Sequence, residues 1–291
     1  MAEFAPLHVH SAFSFLSGAS SVEALVLRAA ELGLPALALT DTGSVTGIVS
    51  LTQKCRKAGI KPLGGCEVAL AGLGRLTLLA DGPTGWASLC RLLTVAALRD
   101  VKREMVKGGA VSVTWEDLEA GQEGLVCLSG SARHGRIPAL LRRRRYACAE
   151  DLAARCRALF GVGNYFLEVT RTLTDGEDRL SEALFELADH LGIPAVATNP
   201  AHHATKAGML AHETLCRIRL GLAPDQQHPD LPFNGEGYLK SAEAMARLFA
   251  DRPEALENAA RLAERLATPL DPAVHHLPRF PLLPAGESAF S

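Results

Sequence analysis

His8 and His10 stand one residue apart near the start of the chain, directly before the serine-rich run 11–21. Side chains alternate with period two along an extended segment, so both imidazoles project to the same side. That placement suits two rings on one metal ion, or one ring as ligand and the other as proton carrier. Further along, apolar runs repeatedly end in a residue with metal-binding or acid–base chemistry. Asp41 follows the run 36–40, Glu67 follows Gly64-Gly65, Ser131 follows 124–128, and His202 with His203 follows 194–199. One at a time, Asp41 and Ser131 also read as helix N-caps and Glu67 as a capping carboxylate. As a set they point to a site, and mixed His and carboxylate donors suit Zn²⁺, Mn²⁺ or Fe²⁺ used for hydrolysis.

The elements that must position these groups follow from periodicity. Residues 21–34 carry Val22, Leu25, Val26, Ala29 and Leu32 at helical spacing, with Gly33 as a stop. Pro35 restarts the chain into Ala36-Leu37-Ala38-Leu39, apolar on both faces as in a buried parallel strand. A helix over 45–58 ends at Gly59, and strand-like runs follow at 60–70 and 75–80. After the turn 81–85 come a helix to about 98, a charged loop at 99–109, and a helix capped at Thr114. Strand runs at 124–128, 165–169 and 194–199 alternate with helices over 137–145, 147–160 and 177–191. The remainder reads as helices over 208–221, 241–250 and 253–267 with a proline-rich end. Strand and helix alternating through residue 199 is the rhythm of a parallel α/β barrel or open sheet. In a barrel, functional groups gather where the strands end, and that is where these polar residues fall.

The chain of 291 residues is 48% hydrophobic and 21% charged, an ordinary globular composition with ample core. Its net charge of −2 provides no global field for nucleic acid, so any such contact must come from a local patch. The most basic stretch is Arg142, Arg143, Arg144 and Arg145. On a helix four consecutive arginines spread around the circumference, which suits a solvated face better than a stripe, with phosphate contact as the sharper alternative. Seven scattered cysteines without a C-x-x-C pair read as buried thiols of a reducing cytoplasm. The amino terminus lacks the build of a signal peptide, and no apolar run reaches the length of about 18 residues needed to span a bilayer. The expectation is a soluble cytoplasmic protein with no membrane partner. No glycine-rich phosphate loop and no serine-hydrolase elbow is present.

Several short stretches, in order, resemble the N-terminal polymerase-and-histidinol-phosphatase (PHP) domain of bacterial C-family DNA polymerases, the replicative α subunit and its error-prone relative. They are Leu7-His8-Val9-His10-Ser11, Ala38-Leu39-Thr40-Asp41, Gly65-Cys66-Glu67, Leu128-Ser129-Gly130, Tyr165-Phe166-Leu167-Glu168, Ala197-Thr198-Asn199 and Leu239-Lys240-Ser241. The resemblance implies an α/β fold, a TIM-like seven-stranded (β/α)7 PHP barrel over 1–203, with a helical extension over 204–269 closing it. It also implies that 270–291 is a proline-rich tail or linker toward a polymerase module. Intact members carry three metal ions and phosphoesterase or 3′–5′ exonuclease activity.

Carried over residue by residue, the resemblance makes His8, His10, Asp41, Glu67 and His202 metal-binding positions, with His10 and Asp41 also catalytic. Other positions depart from the pattern. Thr42 replaces a histidine, Ser131 a cysteine and Pro200 an aspartate, and a further histidine position falls near Arg171-Thr172. Three ions lacking those bridging ligands would repel one another, so a partial site for Zn, Mn or Fe is expected. His134, His203 and His212 read as surface or core histidines. No palm aspartates are recognisable, so polymerase activity is not expected from this chain alone. The reading is a PHP domain with a degraded metal site that packs against a polymerase module or docks replication and repair subunits. The alternatives are a DNA-cleaving phosphoesterase or 3′–5′ exonuclease and, further off, a small-molecule phosphatase.

Overall fold

Four residues buried on both faces, Ala36–Leu39, form the first strand, β1, between helix α1 (Val22–Glu31) and helix α2 (Ile48–Ala58). The computed structural model describes residues 4–100 and 112–271. Ser21 caps α1 by accepting from Ala24 N, and Gly59 ends α2 in the left-handed conformation. The chain continues through β2 (Lys61–Leu70), β3 (Gly74–Ala80), α3 (Gly82–Asp100), β4 (Ser112–Val113) and α4 (Trp115–Gly121). The acidic first turn after Thr114 is a full capping box with Asp117. There follow β5 (Leu125–Leu128), α5 (Arg136–Arg142), α6 (Tyr146–Phe160), β6 (Tyr165–Thr170), α7 (Glu177–Leu191) and β7 (Ala195–Thr198). The chain then adds α8 (Met209–Leu220), α9 (Ala242–Leu248) and α10 (Pro253–Arg265).

The strands form one seven-stranded sheet in the order β1-β2-β3-β5-β6-β7, with β4 beside β2. Residues 6–10 join its two ends. Pro6 O and Val9 O accept from Ala38 N and Thr40 N of the β1 side, while His10 N and Ala201 N bond Ala201 O and His8 O beyond β7. The mixed α/β, TIM-like architecture agrees with the expected PHP barrel. One strand departs from the parallel rhythm: β3 runs antiparallel to both β2 and β5. The cause is the connection, residues 71–73, where Gly72 takes positive φ, as does Gly74 at the start of β3. A link this short permits a hairpin and no helical crossover.

Alternation along the strands separates two cores. Leu7, Ala36, Ala38, Leu63, Leu79, Val126, Leu128, Phe166 and Val196 cluster with Ala259, Leu262, Ala263 and Leu266 of the α10 segment. The intervening residues, such as Leu37, Leu39, Cys66, Leu78, Cys127, Leu167 and Ala197, pack against the surrounding helices. Helix α10 therefore seals the apolar half of the interior rather than standing off as an appendage. Arg171, just after β6, ties down α9 through Leu248 O, a bidentate pair with Asp251 (2.5 and 2.8 Å) and a position over the Phe249 ring.

Two sequence expectations move. The helix read over 137–145 stops at Arg142, where the chain turns before α6. Arg99 belongs to α3 rather than to the expected 99–109 loop, most of which lies outside the described residues, as does the proline-rich segment after Asp271. Leu262 is 3% exposed, so Leu262→Ala should cost about 2–5 kcal/mol. Because α10 shares the barrel's interior core, urea unfolding followed by circular dichroism should show one transition shifted to lower urea, with no separate early loss of helix.

Candidate metal centre

The inward face of the barrel changes character halfway up. On β2 the inward positions run Leu63, Gly65, Glu67, and on β6 they run Phe166, Glu168, Thr170. On β3, running the other way, they are Leu79, Thr77 and Arg75. Period two thus stacks a polar layer directly on the apolar one, where the parallel strands end. Glu67 is 2% exposed and Glu168 fully buried; each carboxylate is paired through one oxygen, while Glu168 Oε2 is buried without a partner.

Residues 6–10 bring the histidines to that layer. His8 Nδ1 lies 2.6 Å from Glu168 Oε1, which also accepts from Thr198 Oγ1 at 2.6 Å. The carboxylate can only accept, so His8 donates from Nδ1 and its Nε2 points elsewhere. That Nε2 is buried without a hydrogen-bond partner, 3.7 Å from Glu67 Oε1. Burial alone would lower the His8 pKa, but the Glu168 and Glu67 carboxylates outweigh it and raise it. His10 is also buried. Ser14 Oγ gives its only hydrogen to Asp41 Oδ1 at 2.6 Å, so His10 Nδ1, 3.1 Å away, donates to Ser14 and leaves its Nε2 lone pair open. Burial pushes His10 down to about 3, so it is neutral at ordinary pH.

One donor atom from each of His8, His10 and Glu67 lies within 4.8 Å of the other two. The orphaned His8 Nε2, with its ring oriented through Nδ1 by a carboxylate, has the arrangement expected of a histidine built for a metal. These three groups fit one ion. They do not fit three. Glu67 Oε2 is already occupied by Arg75 Nη1 at 2.8 Å and Thr42 Oγ1 at 2.9 Å. Burial would raise the Glu67 pKa, but His10, Arg75 and His8 overcome it and draw the carboxyl down to about 2.

The other predicted residues sit differently. Asp41 accepts from Ser11 N, Ser11 Oγ and Ser14 Oγ at 2.6–2.8 Å, so both its oxygens hold the loop 11–18 in place. Burial raises its pKa against those bonds. His202 stacks on His10 with ring centroids 4.4 Å apart and on His212 at 4.6 Å. Burial, then neighbouring His10 and His212, push its pKa well down. Arg142 bonds Ala132 O, while Arg143, Arg144 and Arg145 lie exposed in the turn after α5, away from this layer. Thr42 donates to Glu67 and Arg171 to Asp251, while Ser131 is buried beside β5. His203 and His212 are core groups, their Nδ1 atoms bonding Thr205 O and Ser17 O.

Two functional residues escape a reading by strand ends. Glu168 sits inside an apolar strand, and its signal is that a carboxylate fully buried in such a run needs a partner. Arg75 lies at the start of β3, and only the reversed sense of that strand turns its inward position to the polar end.

Comparison with known proteins places this geometry. The PHP domain family profile matches residues 6–172. An error-prone DNA polymerase of Symbiobacterium thermophilum is 41% identical over 278 residues, covering 92% of this chain and 25% of its own. The DNA polymerase III subunit alpha of Treponema pallidum is 39% identical, covering 90% of this chain and 23% of its own. The chain thus spans about a quarter of the length of the curated relatives it matches. A solved structure from Bifidobacterium adolescentis, of a protein predicted to be a metal-dependent phosphoesterase, superposes with a TM-score of 0.50. Its identity is 15%, and the match covers 86% of this chain and 96% of that one, a likeness of fold. Among the described residues no helix is long and apolar enough to cross a membrane.

Asp41→Ala would leave three buried donors of the 11–18 loop unpaired, so a loss of about 3 kcal/mol is expected in urea denaturation. His212, 6% exposed, is held down to about 4 by burial, against 6.5 for a free side chain. Between those values the unfolded chain binds the extra proton, so stability is fully present above pH 6.5 and is lost as pH falls toward 4. The thermal midpoint should fall across that window, and His212→Gln should make the fall shallower.

Proposed function

Since this chain belongs to the PHP domain family, we propose that it serves as the PHP domain of a bacterial polymerase III α-type protein in DNA replication or repair. Its metal site is reduced to a single-ion pocket, and its work is structural: packing against a polymerase module and docking replication or repair subunits. The observation that carries this reading is the occupation of the carboxylates. Asp41 accepts three hydrogen bonds from Ser11 and Ser14, and one oxygen of Glu67 is taken by Arg75 and Thr42. Bridging between ions needs free carboxylate oxygens, and Arg75 supplies as a fixed cation some of the charge that further ions would bring. At the neighbouring positions Thr42 and Ser131 offer hydroxyls, Pro200 a pyrrolidine ring with no ligand atom, and Arg171 a cation committed to Asp251.

A Zn²⁺, Mn²⁺ or Fe²⁺ ion would be held by His8, His10 and Glu67, and would supply Lewis acidity there. His8 would first give up any proton on Nε2, so uptake should weaken as pH falls. Glu168 keeps the His8 ring turned, and Ser14 does the same for His10. His202 forms the wall beside His10. The partnerless, oriented His8 Nε2 supports a second reading, a one-metal phosphoesterase or 3′–5′ exonuclease that retains His10 and Asp41 in its chemistry. Cytoplasmic residence is supported by seven free cysteines, five of them buried.

The test is metal analysis of protein purified without added metal, then 3′-end hydrolysis of single-stranded DNA with Mn²⁺. At most one equivalent of Mn, Zn or Fe per chain and no hydrolysis above the blank are expected. Turnover that disappears in His10→Ala would establish the exonuclease reading, and two or more tightly held ions would overturn the single-ion pocket.

A further inference from the structure

We propose that the turn 143–146 between α5 and α6 is a contact site for single-stranded nucleic acid, with Arg143, Arg144 and Arg145 on phosphates and Tyr146 beneath a base. The turn closes α5 tightly. Arg144 N bonds Leu141 O at 2.9 Å and Arg145 N bonds Leu140 O at 2.9 Å, the paired bonds of a helix end whose penultimate residue must be left-handed. That residue is Arg144, with φ +55°. Glycine is the ordinary occupant of such a position, because a Cβ is strained there. An exposed cation kept in strain at a helix end is the kind of outlier that points to a role outside the fold.

The rest of the turn has the same character. Arg142 is drawn inward to Ala132 O, so it belongs to the fold. Arg143, Arg144 and Arg145 are exposed, and among the described residues none of them pairs with a carboxylate. Among the described residues, the side-chain bond at the turn is Arg145 to Cys148 Sγ at 3.4 Å. The nearest acids on α6 are Glu150, which faces His190 at 3.1 Å, and Asp151. Tyr146 is 56% exposed although it opens a helix whose other face is packed. Helix α6, 15 residues long, has no side-chain N-cap, so its first amides and its dipole face the same surface.

Three forked guanidiniums suit phosphate oxygens, and an aromatic ring among them suits an unpaired base. An acidic peptide would use the cations but leave the ring idle, and a duplex keeps its bases stacked. With a net charge of −2, the chain has no general attraction for polyanions, so binding would come from this turn.

The experiment is fluorescence anisotropy of labelled oligothymidylate with the full chain, in chelator, over a series of salt concentrations. Chelator removes metal-pocket occupancy as a variable, so failure here and failure of the single-ion pocket are separable. The triple variant R143Q/R144G/R145Q should bind at least about tenfold more weakly at low salt, with the log–log salt slope reduced by about 2. Its thermal midpoint should not fall, since glycine relieves residue 144. Arg143→Gln alone should reduce the slope by about 0.7 and keeps the test open if the triple variant is unstable. Tyr146→Ala should weaken oligothymidylate while leaving duplex DNA unchanged. Unchanged affinity and slope in the arginine variants would overturn the proposal. So would displacement of the DNA by polyglutamate at equal charge concentration, which would make the turn a site for acidic protein surfaces.

Discussion

The backbone of residues 6–10 is hydrogen-bonded along both edges, to Ala38 and Thr40 on one side and to Ala201 on the other. That double pairing joins the two ends of the sheet, and a joined sheet gives every strand an inside and an outside. It also determines where His8 and His10 go, because the segment that closes the barrel is the segment that carries them. Inward Leu7 lies in the apolar half with Leu63 and Leu79, and His8 rises into the polar half beside Glu67 and Glu168. Closure and site are therefore one event. A displacement of this segment would open the barrel seam and pull both imidazoles from their carboxylates together.

Burying Glu67, Glu168 and Asp41 in a barrel interior demands compensation within a few ångströms, and each carboxylate finds a different kind. Asp41 takes neutral hydrogens from a serine loop, Glu168 takes His8 and Thr198, and Glu67 takes a guanidinium and a threonine. Much of the carboxylate charge is thus met by groups of the chain itself, while Glu168 Oε2 stays without a partner. The remaining metal character is concentrated in His8, His10 and Glu67, with His8 Nε2 and Glu168 Oε2 both buried without a hydrogen-bond partner.

The helices added after the barrel are part of the same packing problem. A barrel of this size needs its amino-terminal mouth filled, and the small and branched side chains of α10 fill it. Arg171 stands near where the resemblance implied a histidine and instead fastens the α9 end through Leu248 and Asp251. A position associated with metal chemistry in the family resemblance thus does structural work here, in keeping with the PHP membership of the chain and with a scaffold reading of its role.

Much was legible in the sequence because it depends on local periodicity. Buried four-residue runs, helical stripes and their glycine stops placed the strands and helices. His-x-His on an extended segment placed both rings on one side. Period two cannot be read across a chain reversal, so the antiparallel sense of β3, and with it Arg75 beside Glu67, emerged only in three dimensions. The same holds for Asp41. As an acid at a strand end it looks like a ligand, and only its distance to Ser11 and Ser14 shows that it also anchors the serine loop. Four consecutive arginines suggest a helix by propensity, yet Arg144 ends it, because a left-handed residue is dictated by where α6 must begin to return to the sheet. The sequence alone thus determined the elements, the family likeness and the identity of the chemical groups. Tertiary structure decided which groups face one another, because pairing across a closed sheet is a property of register and strand sense that no short window of residues contains.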